Sequence, residues 1–301
     1  MHNLRGSFRL NAGIYSSCRK DMIKMFYNRD TAAGIAGDIT SAFELYNGKY
    51  DELKGGIDIH DPDMKIIWCR GFTEPYHADF ISEIDDSTVA VRKILKSKPR
   101  KTQLCSVHYY GGGKPVYSAF FGEGDRCVCE KLFLQGGDVQ TGLKFLSDSH
   151  RLIEITKEYF DAEGNATGYE CGQLQPYTKR GRNEYPDDIP LDMLIKARRY
   201  YYKIGAIAGA EAFGEYNTAA PLVWYDDRRY DEVGKVLPLG LPPMNPGILC
   251  EYAFNYGDGG VPETFTRKSY SYGRTGENTW KFRKALSEKY IEYGIKNFYY
   301  K

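Results

Sequence analysis

The hydrophobic and polar positions divide the chain into helical stretches toward its two ends and short extended runs in its middle. Asp21 to Asn47 reads as helix, interrupted by Gly34 and Gly37 into two pieces and stopped by Gly48. Lys65 to Cys69 is a short apolar run between Pro62 and Gly71, which predicts a strand. Asp85 to Ser97 spaces Val89, Val91, Ile94 and Leu95 for one helical face, and Pro99 closes it. The middle is punctuated by turn residues. Gln103 to Tyr110 and Pro115 to Phe121 flank Gly111-Gly112-Gly113-Lys114, and Gly122-Glu123-Gly124-Asp125 precedes a third strand, Arg126 to Leu134. Arg151 to Tyr159 and Thr167 to Leu174 flank a turn at Asp161 to Asn165. Leu191 to Asn217 is expected as a helix pair, Leu237 to Pro246 as a proline-rich loop, and Thr279 to Phe298 as a terminal helix.

Short identities recur in the same order in the two halves. Gly34-Ile35-Ala36-Gly37, Ala42-Phe43, Tyr46-Asn47, Tyr50-Asp51-Glu52, Ile67-Trp68-Cys69 and Arg92-Lys93-Ile94-Leu95 are answered by Ala206-Ile207-Ala208-Gly209, Ala212-Phe213, Tyr216-Asn217, Tyr230-Asp231-Glu232, Ile248-Leu249-Cys250 and Arg283-Lys284-Ala285-Leu286. The expected fold is therefore α+β, with two pseudo-repeated helix-rich halves and a β-rich hairpin insert between them. The boundaries that follow are a basic lead (1–20), a first copy (21–100), the insert (101–175), a charged, Pro-punctuated linker (176–190) and a second copy (191–301). Two like surfaces facing two like partners explain a duplication better than a single active site does.

Composition adjusts this picture. With 301 residues, 42% hydrophobic and 27% charged, the chain can bury a substantial core and is not disordered. No apolar run reaches the ~20 residues needed to span a bilayer. The net charge of +1 hides an asymmetry: Arg5, Arg9, Arg19, Lys20, Lys24 and Arg29 face Asp21 alone at the start, and nine basic residues after position 263 face only Glu277, Glu288 and Glu292. Basic ends on an acidic body suit acidic protein partners rather than nucleic acid. The first twenty residues lack acids and have the look of an organelle transit segment. The 26 tyrosines suit contact surfaces.

Catalytic signatures are few. There is no phosphate-binding glycine loop, nucleophile elbow or paired-histidine zinc motif. The densest polar cluster, Asp58-Ile59-His60-Asp61-Pro62-Asp63, reads either as a solvated turn or as a metal-dependent hydrolase or nuclease site using Asp58, His60, Asp61 and Asp63. Cys127-Val128-Cys129 places two thiols on one side of a regular strand, as half a metal site without a second half. Seven scattered cysteines argue against a secreted disulfide framework. Cys69 and Cys250 alone fall at matching places in the two copies, either as inherited buried hydrophobes or as a pair of reactive thiols.

The duplicated unit, the basic ends, the single cysteines and the Tyr/Arg-rich stretch Phe265-Thr266-Arg267-Lys268-Ser269-Tyr270-Ser271-Tyr272-Gly273-Arg274 together resemble the red-algal phycobilisome linkers, above all the γ subunit of phycoerythrin. The resemblance is one of layout over most of the chain. It implies a non-enzymatic linker that organises repeated acidic subunits (phycobiliprotein-type hexamers) in a light-harvesting antenna on the stromal surface of the plastid thylakoid. It also implies a linear tetrapyrrole, phycoerythrobilin or phycourobilin, on cysteine: Cys69 and Cys250 first, then Cys105, Cys18 and Cys171, with Arg70 pairing a propionate. The near-neutral charge and the insert depart from the family. A viral capsid or tail protein with a duplicated domain is the other structural reading.

Overall fold

The computed structural model describes residues 29–72, 74, 79, 94–179, 182–185, 193–203, 206–217, 248–256, 262–271 and 274–281. The described elements begin with helix α1 (Arg29–Tyr46) and a single turn and a half of helix, α2 (Tyr50–Gly55). Strands follow: β1 (Lys65–Arg70), β2 (Ile94–Leu95), β3 (Cys105–Gly111), β4 (Lys114–Phe121), β5 (Cys127–Gly136), β6 (Val139–Leu146), β7 (Leu152–Phe160), β8 (Ala166–Leu174), a small hairpin β9 (Tyr177–Lys179) and β10 (Arg182–Glu184), then β11 (Met193–Lys203), β12 (Ala206–Asn217), β13 (Ile248–Tyr256), β14 (Pro262–Ser271) and β15 (Arg274–Lys281). All but the β9–β10 hairpin belong to one sheet of 13 strands, ordered β15-β14-β13-β12-β11-β8-β7-β6-β5-β4-β3-β1-β2, with every pair antiparallel.

This corrects the expected fold class. The molecule is a large antiparallel sheet with two helices among its described residues, and not a pair of helix-rich halves. The matching identities do not all fold alike: Gly34 to Tyr46 is helix, whereas Ala206 to Asn217 is strand β12, although Ile67 to Cys69 and Ile248 to Cys250 are both strand. Leu191 to Asn217 looked helical because Ala, Arg, Lys and Glu fill it, and helix propensity is a weak prior. Burial overrides it. Ile195 and Ala197 are buried on one side while Tyr200, Ala210 and Ala212 are buried on the other, the alternation of a strand covered on both faces. Strand β11 pairs with β8 through seven residues, Met193↔Leu174 to Arg199↔Gly168, so the insert and the second half share one sheet. Thr279 to Lys281 lies in β15, and the rest of the expected terminal helix lies outside the described residues, as do the proline-rich loop and most of Asp85 to Ser97. Ile94 and Leu95 form β2.

The strands expected between positions 103 and 174 are present, joined by the turns their glycines signalled; Gly112, Gly113 and Gly124 all have positive φ. Strand β6 had no counterpart in the sequence pattern. Helix α1 runs unbroken through Gly34 and Gly37 and stops before Gly48, whose φ of +80° is the left-handed cap that glycine accepts.

Helix α1 lies on one face of the sheet, here the helix face. Ile35, Ile39 and Ala42 form its buried stripe and join Val107, Tyr117, Ala119, Leu132, Leu143, Phe145, Ile155, Ile195 and Ala197 in the main core. Gly172 permits this approach: a Cβ there would stand 2.2 Å from Ile39 Cγ2. The far face carries a second, aromatic cluster: Tyr169, Cys171, Tyr200, Ala210, Ala212, Cys250, Tyr252, Phe254 and Phe265. Tyr169, Tyr200 and Tyr252 are thus interior. No helix among the described residues is long and apolar enough to cross a membrane.

Candidate functional site

The strand register draws a polar line across the far face. Successive Cα partners are Ile67, His108, Ser118, Lys131, Lys144, Glu154 and Gln173, spanning β1 to β8. Directly paired residues point to the same side of a sheet. His108, Ser118, Lys131 and Glu154 on this line are all buried. A second line, Phe133, Gly142, Thr156, Cys171 and Lys196, lies beside it, and a third holds Gln135, Gln140, Glu158, Tyr169 and Arg198.

Four charges on and over the first line form a closed ring. Lys131 Nζ is 2.7 Å from Glu74 Oε2 and 3.3 Å from Glu154 Oε1; Lys144 Nζ is 4.0 Å from Glu74 Oε1 and 3.8 Å from Glu154 Oε2. Lys131 and Lys144 also sit over the rings of Phe133 and Phe120 at 5.4 and 4.4 Å. Burial works against both ammonium charges. The carboxylates of Glu74 and Glu154 outweigh it and hold both lysines above the ordinary range, so both stay protonated. Farther along, Arg198 Nε donates to Asp79 Oδ1 at 3.2 Å. Burial opposes this charge too, and Asp79 holds it. Glu74 and Asp79 are not strand residues. Both come from the stretch of chain between β1 and β2, and each places a carboxylate on a cation of the far face.

His108 lies between two serines, with Nδ1 2.8 Å from Ser118 Oγ and Nε2 3.0 Å from Ser106 Oγ. A neutral imidazole donates through one nitrogen and accepts through the other, so one serine donates to it. On the far face, Thr156 Oγ1 and Gln140 Nε2 lack a hydrogen-bond partner, although their residues are almost completely buried. Gly142 stands between Lys131 and Thr156. A Cβ on it would lie 2.5 Å from both Lys131 Cε and Thr156 Oγ1, so those two atoms are at most twice that apart.

On the helix face a different cluster fixes α2. Glu130 Oε2 accepts from Tyr50 Oη, Lys54 Nζ and Tyr117 Oη, each at 2.7 Å. Burial raises the Glu130 carboxyl, but the three donors prevail and hold it below the usual carboxylate range. Burial and the Glu130 charge push both phenols up, so they remain donors.

The residues singled out in the sequence lie as follows. Cys69 is buried in β1 and Cys250 in β13, on the far face of the same sheet with eight strands between them. Cys171 is buried in β8, and burial raises its thiol to about 12. Cys105 is buried at the start of β3; burial raises its thiol, with Arg70, its register partner, pulling the other way. Arg70 itself is exposed. Cys18 lies outside the described residues. The structure does not bring these cysteines together.

Cys127 and Cys129 do not share a side. The register shifts between Phe120↔Cys129 and Phe121↔Cys127, a bulge that turns Cys127 toward the main core and Cys129 toward Lys144 and Glu154. Asp58, His60, Asp61 and Asp63 form an exposed turn between α2 and β1. Asp58 Oδ1 accepts from the His60 amide and Asp61 Oδ1 from the Asp63 amide, both at 2.9 Å. Those carboxylates stabilise their own backbone. Among the described residues no group of three or more His, Cys, Asp and Glu could hold a metal ion.

Lys131, Lys144, Glu154, Thr156 and Arg198 were not visible as site residues in the sequence. Lys144 between Leu143 and Phe145, and Glu154 between Ile153 and Ile155, read as the wet side of alternating strands. Nothing in a strand's own pattern says that its polar side is covered. The chain matches no protein-family model and no curated protein.

Proposed function

We propose that this is a non-enzymatic binding protein that takes a small anionic ligand on the far face of its sheet, against Lys131, Lys144 and Arg198. One observation carries the reading: the carboxylates that neutralise these cations from outside the sheet, Glu74 and Asp79, belong to a connecting stretch rather than to the strands. Burying charge is costly, and apolar residues of similar volume often replace a buried ion pair at no loss. A scaffold with an extensive apolar core gains little from three cations on one inner face. A binding protein gains preorganised, desolvated partners for an anion, and Glu74 and Asp79 mark where its acidic groups sit.

A linear tetrapyrrole, with two propionates, is one ligand of this class. The presence of Cys69, Cys129, Cys171 and Cys250 on the same face favours that second reading, whereas thiols raised by burial disfavour covalent attachment through Cys129 and Cys171. The linker reading, which assigns repeated acidic partners, rested on two copies that fold alike, and helix α1 and strand β12 remove that support.

Thermal denaturation against inorganic phosphate, succinate and biliverdin tests the proposal. A ligand at a hundredfold excess over its Kd stabilises by about 2.7 kcal/mol, a readily measured rise in Tm. We expect at least one anion to raise Tm in the wild type and none to do so in the K131M/K144M double variant. A Tm indifferent to every anion, or raised equally in the double variant, overturns the reading.

A further inference from the structure

We infer that the ligand of this site carries a hydroxyl group beside its anionic group, as a hydroxycarboxylate does. The inference rests on the anion reading above and names the ligand's second feature. It starts from the two orphaned polar atoms. Buried polar side chains nearly always find hydrogen-bond partners, and each exception calls for a cause. Here two exceptions occur on neighbouring strands of the same face. Gln140 Nε2 is on β6 and Thr156 Oγ1 on β7, and their residues are 2% and 1% exposed.

Their surroundings fit a hydroxyl. Gln140 Nε2 is an amide nitrogen and can only donate, and the amide's oxygen already accepts from Gln135 Nε2 at 3.1 Å. Thr156 Oγ1 can donate or accept. A group that accepts from Gln140 and exchanges a hydrogen bond with Thr156 is an alcohol, or the water that occupies its place when no ligand is bound. Glu158, the register partner of Gln140, brings a carboxylate to the same row and suits the alcohol's own proton.

The anion and the hydroxyl fall within one small molecule. Lys131 Cε and Thr156 Oγ1 both crowd the point above Gly142, each 2.5 Å from it, so the carbon that bears the ammonium lies within twice that distance of the threonine hydroxyl. A carboxylate replacing that of Glu74 on Lys131 and Lys144 leaves a hydroxyl on the next carbon facing Thr156. Gly142 is what lets the two elements approach, since any side chain there would push Lys131 and Thr156 apart.

A matched pair of probes tests this: malate and succinate, which differ by one hydroxyl. Dissociation constants are measured by calorimetry on the full chain, wild type, T156V, Q140L and K131M, with far-UV circular dichroism confirming that each is folded. We expect the wild type to prefer malate by about tenfold, the worth of a well-made hydrogen bond. T156V and Q140L are expected to bind succinate as the wild type does and to lose the preference for malate. K131M is expected to bind neither. Equal binding of malate and succinate by the wild type overturns the hydroxyl inference and leaves the anion site standing. Binding of neither by the wild type overturns both. A preference for malate that persists in T156V and Q140L shows that the hydroxyl is read elsewhere and refutes the assignment to these residues.

Discussion

Single residues decide where the layers of this protein can touch. Gly172 has no side chain, and Ile39 fills the space that one would need. Replacing Gly172 with Ala forces α1 away from β8, and overpacking of this kind costs about 1–3 kcal/mol. Urea denaturation of G172A is expected to show that loss as a lower midpoint with an unchanged slope. In an I39A background the same substitution is expected to cost less, because the contact it offends is gone. Glu130 supplies a second residue-scale test. Its carboxyl is lowered on folding, so its stabilising effect is complete above its ordinary value of about 4.3 and fades as the pH falls through the lower native value. The stability gap between wild type and E130Q is therefore expected to narrow on acidification below about pH 4. Parallel stability curves would show that Glu130 does not bind protons differently in the two states. Neither residue announced its role. Gly172 reads as an ordinary strand glycine, and Glu130 sits in a run of Cys, Glu and Lys whose facing depends on the bulge at Cys127 to Cys129.

At the scale of elements, legibility followed punctuation. Strands β3, β4, β5, β7 and β8 could be read because Gly111 to Gly113, Gly122 to Asp125 and Asp161 to Asn165 mark their ends. Strand β6 escaped because Gln140, Thr141 and Gly142 dilute its apolar pattern. Strands β11 and β12 were misread because their residues favour helix locally, and only pairing with β8 and burial on both sides make them strands. Helix α1 was legible, yet its glycines did not break it. Both are interior helix positions where a Cβ meets nothing within 4 Å. The double variant G34A/G37A is therefore expected to raise stability by up to about 1 kcal/mol per site, seen as a higher Tm with unchanged circular dichroism. The polar line on the far face was hidden for a related reason: each of its members is ordinary in its own strand, and the line exists only through register.

For the whole molecule, one continuous sheet predicts cooperative behaviour. If the stretch 176–190 joined two independent halves, cutting there would leave two folded pieces. Instead β8 and β11 bond to one another on either side of it. We expect a single unfolding transition by circular dichroism and by tyrosine fluorescence, with coincident midpoints. Fragments 1–185 and 191–301 produced separately are expected to aggregate or remain unfolded, since each would expose the backbone of an interior strand as a long edge. Two well-separated transitions, or two soluble folded fragments, would restore a two-domain description.

From β3 onward, the strands of the large sheet lie in the order in which they leave the chain. Mechanically, this makes the protein a row of hairpins rather than a clamp. A load applied at Lys281 and directed across the sheet meets the hydrogen bonds of one strand pair at a time, and each rupture passes the load to the next. Optical-trap extension from that end should give a staircase of small steps at modest force. The largest plateau is expected where α1 bears on β7 and β8, because peeling a strand there also means tearing a helix from its seat.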